Sequence, residues 1–141
     1  MAITRAETQV VWSAANSVSV TAGSSQTSDE FNLDATCVTA QVSLKADNSG
    51  TPAADDQIYF WLIQTSGDPD GAGADEFDTV GHATFLAVLD TYSGGAGEDP
   101  AGVTVSLPIP QKGGKIYAEG ITAGTTTAIT VSATITEQRA A

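Results

Sequence analysis

Cysteine is almost missing from this chain. Cys37 is the single one in 141 residues, so no intramolecular disulfide can form and a small disulfide-stapled scaffold is excluded. Positive charge is nearly as scarce: five Lys and Arg stand against seventeen Asp and Glu, a formal charge of −12. A surface of that sign repels phosphate backbones and anionic headgroups, so neither nucleic acid nor membrane is an expected partner. The same acidity keeps an abundant protein in solution. Long apolar runs are missing too. The longest, Ile58 to Ile63, falls far short of the roughly 20 residues that cross a bilayer. The opening stretch MAITRAETQVVWSAA has no basic segment followed by an apolar one, which predicts a soluble product made in the cytoplasm without secretory export. Finally, apolar residues at helical spacing are nearly absent, while Thr, Ser, Val, Ala and Gly dominate. Strands and turns are the expected material.

The clearest strand is CVTAQVSLKAD, where Val38, Ala40, Val42, Leu44 and Ala46 alternate with Cys37, Thr39, Gln41, Ser43 and Lys45. Alternation of this kind buries one face and wets the other. AITVSATITE repeats it, with Ile129, Val131, Ala133 and Ile135 facing one way and Thr130, Ser132, Thr134 and Thr136 the other. Between them QIYFWLIQ is apolar at every position from Ile58 to Ile63, as in a strand covered on both faces, either mid-sheet or against another subunit. TQVVWS, SVSV, EFNL, VTVSLPI and KIYAEGI are shorter candidates bounded by turn residues. TFLAVLDTY suits a strand or a short helix, and the strand is preferred. Eight or nine short strands predict an all-β protein, an antiparallel two-sheet β-sandwich wound as a jelly roll, with an immunoglobulin-like sandwich as the competitor. Residues 1–12 read as an N-terminal arm or first edge strand, residues 13–141 as one sandwich domain, and EQRAA as a frayed end.

Chemistry-bearing residues are few. GDPDGAGADEFD, residues 67–78, carries Asp68, Asp70, Asp75, Glu76 and Asp78 on a glycine-rich backbone, the oxygen ligands a calcium ion takes. Its spacing departs from the helix-loop-helix calcium loop. With Asp68 and Asp70 at the first and third positions, Ala72 falls where a ligand is wanted and Thr79 where a bidentate Glu belongs. A solvated connection is therefore the preferred reading, and no metal or other cofactor is expected. His82, the only histidine, follows Asp78 and lies near Ser66, Thr84 and Asp90 in sequence. No GxSxG elbow accompanies it. Cys37 has no basic neighbour in sequence to activate it and reads as structural. The adjacent acids Asp29 and Glu30, Asp55 and Asp56, and Glu98 and Asp99 point to opposite sides of an extended chain, the wrong arrangement for paired acid catalysis. They read as turn and rim charges, and no catalytic activity is expected. Tyr59, Phe60 and Trp61 could stack on sugar, but core or subunit contact is preferred. Pro108 and Pro110 mark a strand exit, and Lys112 and Lys115 beside them form the one locally basic patch, suited to edge protection or to an acidic patch on a neighbouring copy.

The order and texture of VSLKADNSGTPAADDQIYFWLIQTSGD, EFDTVGHATFLAVLDTY and EDPAGVTVSLPIPQKGGKIYAEG, across residues 42–120, resemble the head decoration or capsid cement proteins of tailed bacteriophages. The resemblance implies jelly-roll or related subunits that bind the outside of the major capsid protein shell as homotrimers and hold capsomers together. It also implies a place in the virion. In that setting Trp12, Ile58, Tyr59, Phe60, Trp61 and Tyr117 are the expected subunit contact, which in an obligate interface buries about 2,000 Å² or more. Arg5, Val10, Val11 and Trp12 are the expected docking segment, acting by strand addition or arm contact. The alternatives are another virion part: a head fibre base, a tail or baseplate adaptor, or a carbohydrate-binding receptor module.

Overall fold

Alternation along two long strands builds the centre of the fold. In a computed structural model, which describes residues 2–65, 67, 70–92, 97–108, 112–121 and 128–140, β5 (Cys37–Asn48) and β10 (Ile129–Ala140) run antiparallel over nearly their whole length. Their inward residues meet in register, Val42 opposite Ile135, Leu44 opposite Ala133 and Ala46 opposite Val131, and all six are buried. In two of the three pairs a large residue faces an alanine, which lets the second layer interdigitate. Val38 departs from the expected inward set. A register shift between Gln138 and Arg139 interrupts the pattern there, and Val38 is left 47% exposed.

The other described strands are β1 (Ile3–Gln9), β2 (Val18–Val20), β3 (Ser25–Thr27), β4 (Phe31–Asn32), β6 (Gln57–Thr65), β7 (Thr84–Asp90), β8 (Ala101–Ser106) and β9 (Gly113–Gly120), with one 3-10 turn at Val80–His82. The first sheet runs β1-β10-β5-β8, with β2 also on β10. The second runs β3-β9-β6-β7, with β4 also on β9. All pairings are antiparallel. The two sheets share one core, to which the second contributes Ile58, Phe60, Leu62, Leu89, Ile116 and Ala118. The chain is thus an all-β, two-sheet antiparallel sandwich, and β6 lies mid-sheet between β9 and β7. TFLAVLDTY supplies a strand, β7, with a bulge where Phe60 pairs Ala87 but Trp61 pairs Phe85.

The N-terminal segment divides at Val10. β1 pairs with the far half of β10, whereas Val10 and Trp12 enter the core at 1% and 3% exposure. A two-residue reversal makes this possible: Trp12 and Ala15 exchange backbone hydrogen bonds of 2.7 and 3.1 Å around Ser13 and Ala14, at φ 48° and 71°. Both are left-handed positions that a hairpin turn normally fills with Asn or Gly. Close approach does the same work at Gly113, where a Cβ would overlap Phe31 O.

Two buried polar groups anchor the ends of the central ladder. Asn48, at the end of β5, donates from Nδ2 to Asp56 Oδ2 (3.1 Å) and to Thr91 Oγ1 (3.3 Å), and Asp56 also accepts from Ala53 N at 2.8 Å. Asp56 is 2% exposed, so it closes a turn from inside and is not the rim charge expected from its neighbour Asp55. At the other end Glu137, 1% exposed, continues the inward parity of β10. It accepts from Asp34 N (2.8 Å) and from the Arg139 guanidinium (2.7 Å). Burial alone pushes the Glu137 pKa up, but the bonds from Arg139 and Asp34 N outweigh it and hold the carboxyl below its ordinary 4.5.

Ala14→Gly relieves the left-handed strain and is expected to raise stability by about 0.5–1 kcal/mol, measured by denaturant unfolding. Glu137→Gln is expected to cost about 1–3 kcal/mol at pH 7. Because its folded pKa is depressed, the Glu137 contribution is complete above the ordinary value of 4.5 and is lost as pH falls through the lower folded value. The gap between parent and variant should therefore narrow in unfolding curves taken below that pH. A gap independent of pH would contradict the assignment.

Candidate functional site

Because strand side chains alternate, β6 presents Ile58, Phe60 and Leu62 to the core and Tyr59 and Trp61 outward, while Ile63, next in the outward parity, is covered and only 5% exposed. The register places Trp61 between Tyr117 on β9 and Phe85 on β7, with Thr27 of β3 beyond Tyr117. The next row is Ser25, Glu119, Tyr59 and Val88. Phe85 meets Trp61 edge-on at 5.1 Å and Tyr59 at 6.4 Å between ring centroids, favourable aromatic geometry. Phe85 and Val88 remain 50% and 44% exposed. This is a contiguous apolar strip on the outside of the second sheet.

The first sheet is different. Its outward residues on the middle strands are Gln41, Ser43, Lys45, Thr130, Ser132, Thr134 and Thr136, and Ser43 hydrogen-bonds Thr104 of the edge strand β8 at 2.9 Å. One broad face is hydroxyl-rich and the other aromatic.

The acidic loop borders the aromatic face. Asp78 N donates to Gln64 O at 2.9 Å and Glu76 N to Gly67 O at 2.8 Å, while Thr65 Oγ1 donates to Glu76 O. Lys112 pairs with Asp75 at 2.6 Å, and the Lys115 ammonium stands 4.3 Å over the Phe77 ring. The basic patch, expected either to protect an edge or to meet an acidic patch on a neighbouring copy, meets this chain's own acidic loop. The Lys112 hydrogen bond, in first place, draws the Asp75 pKa down. Asp70 accepts from Ala72 N at 2.8 Å, a local turn contact. Asp68 and Ser66 lie outside the described residues. Among the described residues no three His, Cys, Asp or Glu side chains converge as a metal site.

His82 closes the 3-10 turn, and its Nδ1 lies 3.3 Å from Thr79 Oγ1. Asp90 ends the opposite end of β7 and accepts from Gln57 Nε2 at 3.2 Å. A strand of that length separates the two by roughly 20 Å. Cys37 does acquire a basic neighbour, since Arg139 lies opposite it on β10. Burial and then the Glu137 carboxylate nonetheless push the thiol pKa up, which leaves it a poor nucleophile.

Several expected contact residues fall inside the chain's own core. Trp12, Ile58 and Phe60 are buried there and so are Val10 and, again, Trp12 from the expected docking segment. None offers a side chain to another subunit or to a shell. Removing residues 1–12 would accordingly empty part of the core. Tyr59, Trp61 and Tyr117 lie on the outer face, while Arg5 and Val11 are exposed. Phe85, the most exposed aromatic of the strip, was masked in sequence by the ambiguous TFLAVLDTY pattern.

No family model matches this chain, and no curated protein does. Among solved structures, it is similar to one described under the words "Bacillus endospore appendages form a novel family of disulfide-linked pili", at TM-score 0.37 and 11% identity, covering 98% of this chain and 89% of that one. A likeness of that size carries no argument.

Phe77→Ala or Lys115→Ala removes the cation–π contact, worth about 0.5–1 kcal/mol at an exposed site. Either is expected to speed proteolysis within residues 70–79 several-fold while global unfolding shifts by about 1 kcal/mol or less. Unchanged cleavage would show that the loop is held by other means.

Proposed function

We propose that this protein is a structural subunit of a bacteriophage virion: a capsid decoration, or cement, protein that binds the outside of the major capsid protein shell. In this reading it acts as a homo-oligomer of three copies, stabilises contacts between capsomers, and carries no catalytic role. The observation behind the reading is the contrast between the two broad faces. A hydroxyl-covered sheet is suited to water. An outer face carrying Tyr59, Trp61, Phe85, Val88 and Tyr117 is suited to burial against another subunit, as exposed apolar patches generally are. The strand orders β1/β2-β10-β5-β8 and β3/β4-β9-β6-β7 support a jelly-roll winding, in which the chain passes between the sheets in two Greek keys. Arg5 and Val11 are the docking residues that remain exposed.

A second reading, a carbohydrate-binding virion module, rests on one feature. A shallow hollow of about 370 Å³ at the end of the aromatic face is lined by Ser24, Ser25, Tyr59, Tyr117 and Glu119, which combines stacking rings with hydrogen-bonding groups.

The test is cryo-electron microscopy of shells assembled from the major capsid protein of the same genome, with and without this protein. Added density on the outer surface is expected, and Trp61→Ser with Phe85→Ser should lower its occupancy at least about tenfold, as loss of interface anchors does. Bare shells at saturating protein would overturn the proposal. Binding on a glycan array, lost in Tyr117→Ala, would favour the second reading.

A further inference from the structure

β1 is a long, open strand edge. β2, β3 and β4 are two or three residues each, β7 is bulged, and β8 is flanked by Pro100 and Pro108. These are the usual ways of discouraging edge pairing. β1 spans seven residues, has no Pro or Gly, and all but Ala6 are exposed. Among the described residues no strand covers its far side. Its charges are mutually neutralised, with Arg5 Nη2 2.6 Å from Glu7 Oε1, so they do not ward off another strand.

The hydrogen-bonding phase of that edge is fixed. Val10 N donates to Ala133 O directly opposite at 2.9 Å, and in an antiparallel ladder the pattern alternates. Thr4, Ala6 and Thr8 therefore aim their backbone groups at β10. Ile3, Arg5, Glu7 and Gln9 aim theirs at the open edge.

The sequence of this strand, ITRAETQ, is symmetric about Ala6 with its charges inverted: Thr4 mirrors Thr8, and Arg5 mirrors Glu7. We propose that β1 pairs antiparallel with β1 of a second copy across a two-fold axis at Ala6, joining the first sheets of two molecules into one. In that register Arg5 of each copy lies opposite Glu7 of the other, on the same face, and the two exchange both backbone hydrogen bonds. Ile3 and Gln9 do likewise. Arg5 and Glu7 of both copies then form a square of alternating charge. Ala6 meets Ala6 at a non-hydrogen-bonded site, where Cα atoms approach to about 4.5 Å and the two side chains lie close together. Slipping the pair by one symmetric step, which keeps the faces matched, sets Arg5 against Arg5 or Glu7 against Glu7, and like charges directly opposite are unfavourable. The self-complementary pattern thus selects both the partner, another copy of this chain, and the register, as an isologous contact demands. The pairing does not depend on a capsid; on a shell it would tie neighbouring oligomers together.

The test uses the full chain with Cys37→Ser. Sedimentation velocity should show association at micromolar concentration. Arg5→Glu and Glu7→Arg should each weaken it at least about tenfold, because attractive cross-strand pairs become repulsive. The double swap, Arg5→Glu with Glu7→Arg, keeps the inverted symmetry and should restore it to within about threefold. Both side chains are more than half exposed (65% and 54%), so folding should not be at stake, and circular dichroism checks this. Independently, Ala6→Cys should oxidise to a disulfide-linked dimer, since the expected Cα separation lies within disulfide reach of about 4.4–6.8 Å; Thr8→Cys, opposite Thr4, should not. A monomeric parent, association indifferent to single reversals, a double swap that stays weak, or Ala6→Cys that fails to cross-link would each overturn the proposal.

Discussion

The antiparallel pairing of β5 with β10 is the constraint on which the rest depends. It lies at the centre of the first sheet and sets which side chains point inward along both strands. A slip of one residue would turn every core side chain to the solvent face. The inward row does more than fill the core. It begins at Asn48 and ends at Glu137, so the same parity that buries Val42, Leu44, Val131 and Ile135 also delivers one polar group to each end of the sandwich. A loop satisfies each group in part: Asn48 bonds to Asp56 in the turn before β6 and to Thr91 just after β7, and Glu137 accepts from Asp34 N in the connection before β5 and from Arg139 on its own strand. Pairing, packing and loop placement are therefore coupled, since a shifted ladder would separate both groups from the partners that satisfy them.

Much of this could be read before the fold was seen. Period-two alternation in β5 and β10 needs no tertiary information, because residues of one face see the same environment along the strand. The unbroken apolar run of β6 likewise announced a strand, which lies mid-sheet, but its second face, at Tyr59 and Trp61, is only half-buried. Sequence reasoning failed where tertiary contact reverses a local rule. β1 and β3 carry almost no apolar residues, because edge strands cover little core. The Ser13-Ala14 reversal lacks the Asn or Gly that marks such a turn, so nothing local signals that Trp12 turns into the core. Glu137 and Asp56 look like surface charges until the partners that fold around them are known, Asp34 N for Glu137 and Asn48 for Asp56 among them.

The candidate surface was harder to read than the core. Alternation could have divided Ile58, Phe60 and Leu62 from Tyr59 and Trp61, but a run apolar at every position hides which half is inside. Phe85 joins Trp61 only through the bulged register of β7, a feature with no signal in composition. The acidic loop gave the opposite lesson. Its carboxylates suggested a cation, and the cation the structure supplies is Lys112, held to Asp75, with Lys115 seated on Phe77.

Charge means that the association proposed above would have to rely on local pattern. With a net charge of −12, two copies repel each other at long range. Four of the five cations are already engaged within the chain: Arg5 with Glu7, Lys112 with Asp75, Arg139 with Glu137, and Lys115 over Phe77. Screening at physiological salt confines the residual repulsion to about 8 Å, so a contact must gain its specificity at short range. The aromatic strip can supply apolar burial, which is insensitive to salt but does not specify a register. The inverted symmetry of β1 supplies register but little apolar area. Each feature provides what the other lacks, and a rigid sandwich keeps the edge of one sheet and the outer face of the other in fixed relation.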